Sequence, residues 1–105
     1  MKTLESVEQF NEWTSNENVI MLFSADWCPD CRVIEPFLPE IEEAFPAYKF
    51  VLVDRDQFIE VCQKHNVFGI PSFLAFKDGD EVGRFVSKNR KTKEEIMEFI
   101  EGLPV

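Results

Sequence analysis

The chain has 105 residues, 45% of them hydrophobic, which is enough for one domain with a core that needs no covalent staples. Three cysteines are too few, and too odd a number, for the disulfide lattice of a small secreted scaffold. A net charge of −9 at pH 7 argues against nucleic acid as a partner.

The N-terminal stretch MKTLESVEQF has one lysine, then acids, and no apolar run behind it. It does not read as a secretory signal, and no run approaches the roughly 18 to 20 apolar residues that a membrane span needs. A reducing cytoplasm is therefore the expected compartment, with no membrane partner. Ser6 and Gln9 have capping-box spacing and open a first helix. VIMLFSA (19–25) and KFVLVD (49–54) are continuous apolar runs, as expected of strands covered on both faces. Between them, Pro29 suits the first position of a second helix, where its missing N–H loses nothing. Pro36 removes a bond to the Arg32 carbonyl and predicts a kink; Pro39 adds a second interruption, and Phe45-Pro46 ends the segment.

A short third helix is expected over 57–65, after Asp56. SFLAFK (72–77) and EVGRFV (81–86) flank Asp78-Gly79, a hairpin signal. Thr92 and Glu95 form a second capping box, followed by Ile96, Phe99, Ile100 and Leu103 along one helical face. The order reads β-α-β-α-β-α-β-β-α: an α/β fold with a central sheet and helices on both faces. Charge is uneven along it. Residues 1–46 carry ten acids against Lys2 and Arg32, whereas residues 47–105 carry ten acids and nine bases. Four of those bases crowd into SKNRKTK, as Lys88, Arg90, Lys91 and Lys93. A solvated loop is the plain reading of such a run.

Cys28-Pro29-Asp30-Cys31 stands where the first buried run meets a helix N-terminus. Positions i and i+3 of a first turn bring β-carbons to roughly 5–6 Å, within reach of a disulfide. Cys28 falls at the N-cap, where its sulfur can accept the Cys31 N–H and feel the positive end of the helix dipole. Both effects favour thiolate, the attacking form; Asp30, in the same turn, opposes it by charge repulsion. Two other chemistries remain open at this point. Cys28, Cys31, Cys62 and His65 form a permissible ligand set for structural zinc, as in a metal-stabilised binding module. Alternatively the cysteines are incidental in a non-catalytic adaptor. Without metal, Cys62 reads as a small core residue and His65 as a helix-end cation.

Three elements in order carry a resemblance: Trp27-Cys28-x-x-Cys31 after a buried strand, Pro36 five residues beyond the second cysteine, and Gly69-Ile70-Pro71-Ser72 before the hairpin. With them the chain resembles the thioredoxin family over nearly its whole length, and more narrowly thioredoxin-related proteins with a WCPDC motif. The resemblance implies a thioredoxin fold in one domain, 1–105, working as a monomeric thiol–disulfide oxidoreductase that reduces protein or small-molecule disulfides. It implies Cys28 as nucleophile, Cys31 as resolving thiol and Pro71 as a cis-proline facing them. Trp27, Pro29, Asp30 and Ile70 would then belong to the substrate surface, with Ile70 offering backbone groups to an extended partner. No bound cofactor is implied beyond the redox-active Cys28–Cys31 disulfide, and the electron donor would be a flavin- and NADPH-dependent reductase.

The chain departs from the family at three places. Pro-Asp replaces the usual Gly-Pro between the cysteines. Leu22 stands where the family usually buries an aspartate, and Leu52 near the place of its paired lysine. Losing both avoids an unpaired buried charge, and leaves Asp26, Asp30 or water to take the Cys31 proton. The glycine that usually borders the groove before the last helix has no match in Val86-Ser87-Lys88-Asn89. The family fold would put this last segment beside the groove, making Lys88, Arg90 and Lys91 a candidate basic rim that offsets Asp30.

Overall fold

The apolar runs at 19–24 and 49–54 become adjacent parallel strands, and everything else is arranged around that pair. The computed structural model describes residues 1–104, so Val105 of the expected domain lies outside it. In chain order the elements are β1 (Lys2–Thr3), α1 (Val7–Asn16), β2 (Val19–Ser24), α2 (Pro29–Ile34), α3 (Leu38–Ala44), β3 (Lys49–Asp54), α4 (Ile59–Lys64), β4 (Ser72–Lys77), β5 (Asp80–Phe85) and α5 (Lys93–Glu101). The five strands form one mixed sheet in the order β1-β3-β2-β4-β5. β1 and β2 run parallel to β3, whereas β4 is antiparallel to both β2 and β5.

Strand alternation divides the core in two. Val19, Met21, Phe23, Val51, Val53, Leu74 and Phe76 face Phe10 of α1 and Val61 and Cys62 of α4. Ile20, Leu22, Phe50 and Phe73 face Ile34, Ile41, Ile96 and Ile100 from α2, α3 and α5. The expected layering, helices on both faces of a mixed sheet, is therefore the observed one.

Local chemistry explains the boundaries. The Ser6 hydroxyl accepts the Gln9 N–H at 3.1 Å, but the Gln9 side chain returns to the Glu5 N–H (2.8 Å) rather than to Ser6. At α5 the capping box is complete in both directions. Asp78 and Gly79 both take positive φ, 52° and 87°, which suits the tight turn between β4 and β5. Pro36 ends α2 in a 3₁₀ turn over Glu35–Phe37. Pro39 does not interrupt again: it falls in the first turn of α3, where a missing N–H is harmless. The helix expected over 57–65 is shorter, because the Asp54 carboxylate accepts the N–H groups of Asp56 (2.9 Å) and Gln57 (3.3 Å) and holds them in a turn.

Candidate active site

The parallel pairing of β2 with β3 sets Ser24 beside Asp54, so the segments that follow both strands emerge at the same end of the sheet. There the chain turns through Ala25–Trp27 and enters α2 at Pro29 with Cys28 as N-cap. The Cys28 sulfur accepts the Cys31 N–H at 3.2 Å. The two cysteines are joined as a disulfide with their Cα atoms 5.3 Å apart. Cys28 is 3% exposed and Cys31 1% exposed. Both sulfurs are covered, because Ala25 and Ile70 pack over the pair.

Ile70 closes the site from the β4 side. Its peptide bond to Pro71 is cis, and its carbonyl oxygen lies 4.0 Å from the Cys28 sulfur. Gly69 lets the segment before Ile70 lie against residues 87–88: a β-carbon there would meet the backbone of Ser87 and Lys88 at 2.6 Å. Ser72, just past Pro71, donates its hydroxyl to the Gly69 carbonyl. Two large apolar side chains stay exposed on these segments: Trp27, next to Cys28, and Phe68, two residues before Ile70.

The motif's acid is not free. Asp30 receives the Arg90 guanidinium, Nε to Oδ1 at 2.9 Å. Lys88 is exposed, but Lys91 is not part of an exposed rim. Its side chain is buried, with Nζ donating to the Ser87 carbonyl (3.2 Å), the Ser87 hydroxyl (3.2 Å) and the Asn89 carbonyl (3.1 Å). The basic run thus splits into Arg90 at the motif, Lys88 at the surface and Lys91 inside.

Behind the disulfide, Cys31 lines a cleft of about 450 Å³ together with Leu22, Ala25, Asp26, Leu38 and Leu52. Leu22 and Leu52 are directly opposite each other in the β2–β3 register. The two leucines that the sequence sets in place of a charged pair thus stand side by side.

Some site residues had gone unremarked in the sequence. The Trp27 indole donates to Asp56 at 2.7 Å, and the Arg55 guanidinium lies over its ring. Arg32 donates to the Asp26 carbonyl at 3.0 Å. The adjacent pair Arg55-Asp56 could have been found from the parallel register alone, since residues after β3 must neighbour those after β2.

Cys62 and His65 are not brought to the motif. Cys62 packs in the α1–α4 core, and burial raises its pKa. The His65 ring lies against Phe10 and Phe76, and burial lowers its pKa. Among the described residues no group of three or more His, Cys, Asp or Glu is arranged to hold a metal ion. The zinc reading finds no support: Cys62 packs in one cluster of the core, and Cys28 and Cys31 in another.

The family model described as Thioredoxin matches residues 2–102. The chain belongs to the thioredoxin family. Thioredoxin 1 of Plasmodium falciparum (isolate 3D7) is 32% identical over 99 residues, covering 93% of this chain and 95% of that protein. The mitochondrial thioredoxin-2 of Schizosaccharomyces pombe is 28% identical, covering 92% of this chain and 76% of the relative. The crystal structure of thioredoxin from Trypanosoma brucei brucei superposes with a TM-score of 0.84 at 29% identity, over 94% of this chain and 86% of that one. The protein is thus a thioredoxin-like thiol–disulfide oxidoreductase whose redox pair is Cys28–Cys31. Thioredoxins work through such a disulfide rather than a bound cofactor, and membership implies disulfide-bearing protein substrates and a reductase as donor.

Proposed function

We propose that this thioredoxin acts as a reductant, with Cys28 attacking and Cys31 resolving, on disulfides of proteins or small molecules. The observation that carries the reading is the N-cap geometry, in which the Cys28 sulfur accepts the Cys31 N–H at the positive end of α2. The Cys28 thiolate attacks one sulfur of the substrate disulfide and expels the other as a thiolate. Cys31 loses its proton and attacks the Cys28 sulfur, which breaks the mixed disulfide and releases the second substrate thiolate. Two electrons pass to the substrate, whose thiolates take up protons, and the Cys28–Cys31 disulfide is left. The Cys31 proton leaves through the cleft that Cys31 and Asp26 share. Trp27, Pro29, Asp30, Ile70 and Pro71 form the docking surface, with the Ile70 carbonyl 4.0 Å from the attacking Cys28 sulfur.

A flavin- and NADPH-dependent reductase returns the electrons. The chain works as a single domain, 1–105, and as a monomer in the cytoplasm, in cellular electron transport and redox homeostasis. Its surplus of acids favours protein over nucleic-acid partners. No helix among the described residues is long and apolar enough to cross a membrane.

Trapping tests the reading. The Cys31→Ser variant should accumulate substrates as mixed disulfides on Cys28, released by added dithiol. Alkylation of the reduced parent near neutral pH should label Cys28 first. Trapping on Cys62, or first labelling of Cys31, would overturn the assignment of roles.

A further inference from the structure

A lysine 1% exposed is unusual in any fold, and Lys91 contacts neither cysteine. Its ammonium does not pair with a carboxylate within salt-bridge distance among the described residues. Instead its three N–H bonds gather oxygens from one short segment: Ser87 O, Ser87 Oγ and Asn89 O. The ring of Phe85 lies below the charge at 5.0 Å. An ammonium with three donors is suited to this task, because it can satisfy three converging acceptors at once.

The segment so gathered touches the active site twice. Ser87 lies within hydrogen-bond reach of Ser72 Oγ through its N–H (3.4 Å) and carbonyl (3.4 Å), and Ser72 Oγ donates to the Gly69 carbonyl. Polar contacts therefore lead from Lys91 through Ser87 and Ser72 to Gly69, one residue from the Ile70 carbonyl that faces Cys28. The backbone of Ser87 and Lys88 also presses directly on Gly69. On the other side of the lysine, Arg90 reaches Asp30 inside the Cys-Pro-Asp-Cys motif.

We propose that Lys91 is a positioning residue for the substrate groove. By holding Ser87 and Asn89 together from inside, it backs the Gly69–Pro71 wall. It acts on the recognition of extended disulfide substrates, not on the exchange chemistry at the sulfurs. Burial lowers the Lys91 pKa, while Glu95 and Asp30 favour its charged form. The inference rests on the thiol–disulfide exchange described above, and deepens it by naming what shapes the groove.

The test compares two substrates in the full chain. One is a peptide disulfide long enough to lie along Ile70, and the other is hydroxyethyl disulfide, which is too small to span the groove. Lys91→Met, which keeps length and loses the donors, should raise KM for the peptide about five- to tenfold, the scale of one or two lost positioning hydrogen bonds. The rate with hydroxyethyl disulfide should stay within about twofold, since the N-cap geometry of Cys28 is untouched. Lys91→Arg should restore much of the peptide KM, because it keeps the charge and donors. Ser87→Ala, a milder cut in the same contacts, should move the peptide KM in the same direction and serves if Lys91→Met does not fold. Equal losses with both substrates, or an unchanged peptide KM in a folded Lys91→Met or in Ser87→Ala, would overturn the proposal. A parent protein that reduces neither substrate would instead overturn the exchange reading itself.

Discussion

Arg90 is 63% exposed, yet its Nε sits 2.9 Å from Asp30 in the middle of the redox motif. An ion pair this open contributes little to stability, and salt screens it. Under the proposed function its effect is on charge: it offsets the acid that opposes a thiolate on Cys28. Arg90→Gln should therefore slow reduction of an acidic disulfide peptide about two- to threefold more than that of a basic one, in keeping with an exposed pair. The salt dependence of the acidic reaction should flatten as well. Identical losses with both peptides at low ionic strength would remove Arg90 from substrate selection. The pairing was partly legible in the basic run, because the family fold brings that segment to the groove. The inward turn of Lys91 was not. No pattern in Ser87-Lys88-Asn89-Arg90-Lys91 distinguishes the lysine that will be enclosed from those left in water; only the backbone path around Phe85 decides it.

At the scale of elements, β2 and β3 carry the clearest departure from the family. Leu22 and Leu52 meet in register, and the cleft that both line reaches Cys31. Leu22→Asp should lower the unfolding free energy by about 2–4 kcal/mol, since burial without a partner penalises a carboxylate and raises its pKa. Denaturant unfolding would read this as a lower midpoint, and turnover should not improve. An unchanged midpoint with faster turnover would mean that water in the cleft already solvates position 22. Both strands were plain in the sequence as uninterrupted apolar runs. The prolines were harder to read, because Pro36 and Pro39 look alike in a string of letters. Only Pro36 stops a helix; Pro39 starts the next, once the 3₁₀ turn between them has reset the register. Likewise Asp56 looked like the start of α4, but the carboxylate two residues earlier captures its N–H first.

For the whole molecule, acid stability depends on groups far from the disulfide. Burial holds the His65 pKa below that of an unfolded histidine, with Lys64 adding to the effect. The unfolded chain therefore binds a proton there before the folded one, and stability is lost as pH falls from about 6.5 through the folded pKa. Glu81, whose pKa is lowered chiefly by its hydrogen bond from Arg84, adds a similar loss below about pH 4.5. The net charge of −9 acts the other way, since protonating surplus carboxylates relieves repulsion, but that relief begins only near carboxylate pKa values. Unfolding free energy should thus decline between pH 7 and 5.5, and His65→Gln should flatten that decline whatever it does to stability at pH 7. An unaltered slope would place the responsible group elsewhere.

The margins of the sheet decide how safely the molecule can be crowded. β1 is two residues long and pairs with Val51 and Leu52 of β3. The opposite border, β5, presents Asp80, Glu81 and Arg84, and its ladder with β4 slips register near Ala75 and Phe76. A short border offers another chain little to grip, and a charged, irregular one repels a straight strand. If extended partners lie along Ile70 while sulfurs exchange, as the proposed function has it, these borders keep them from adding to the sheet and seeding fibres.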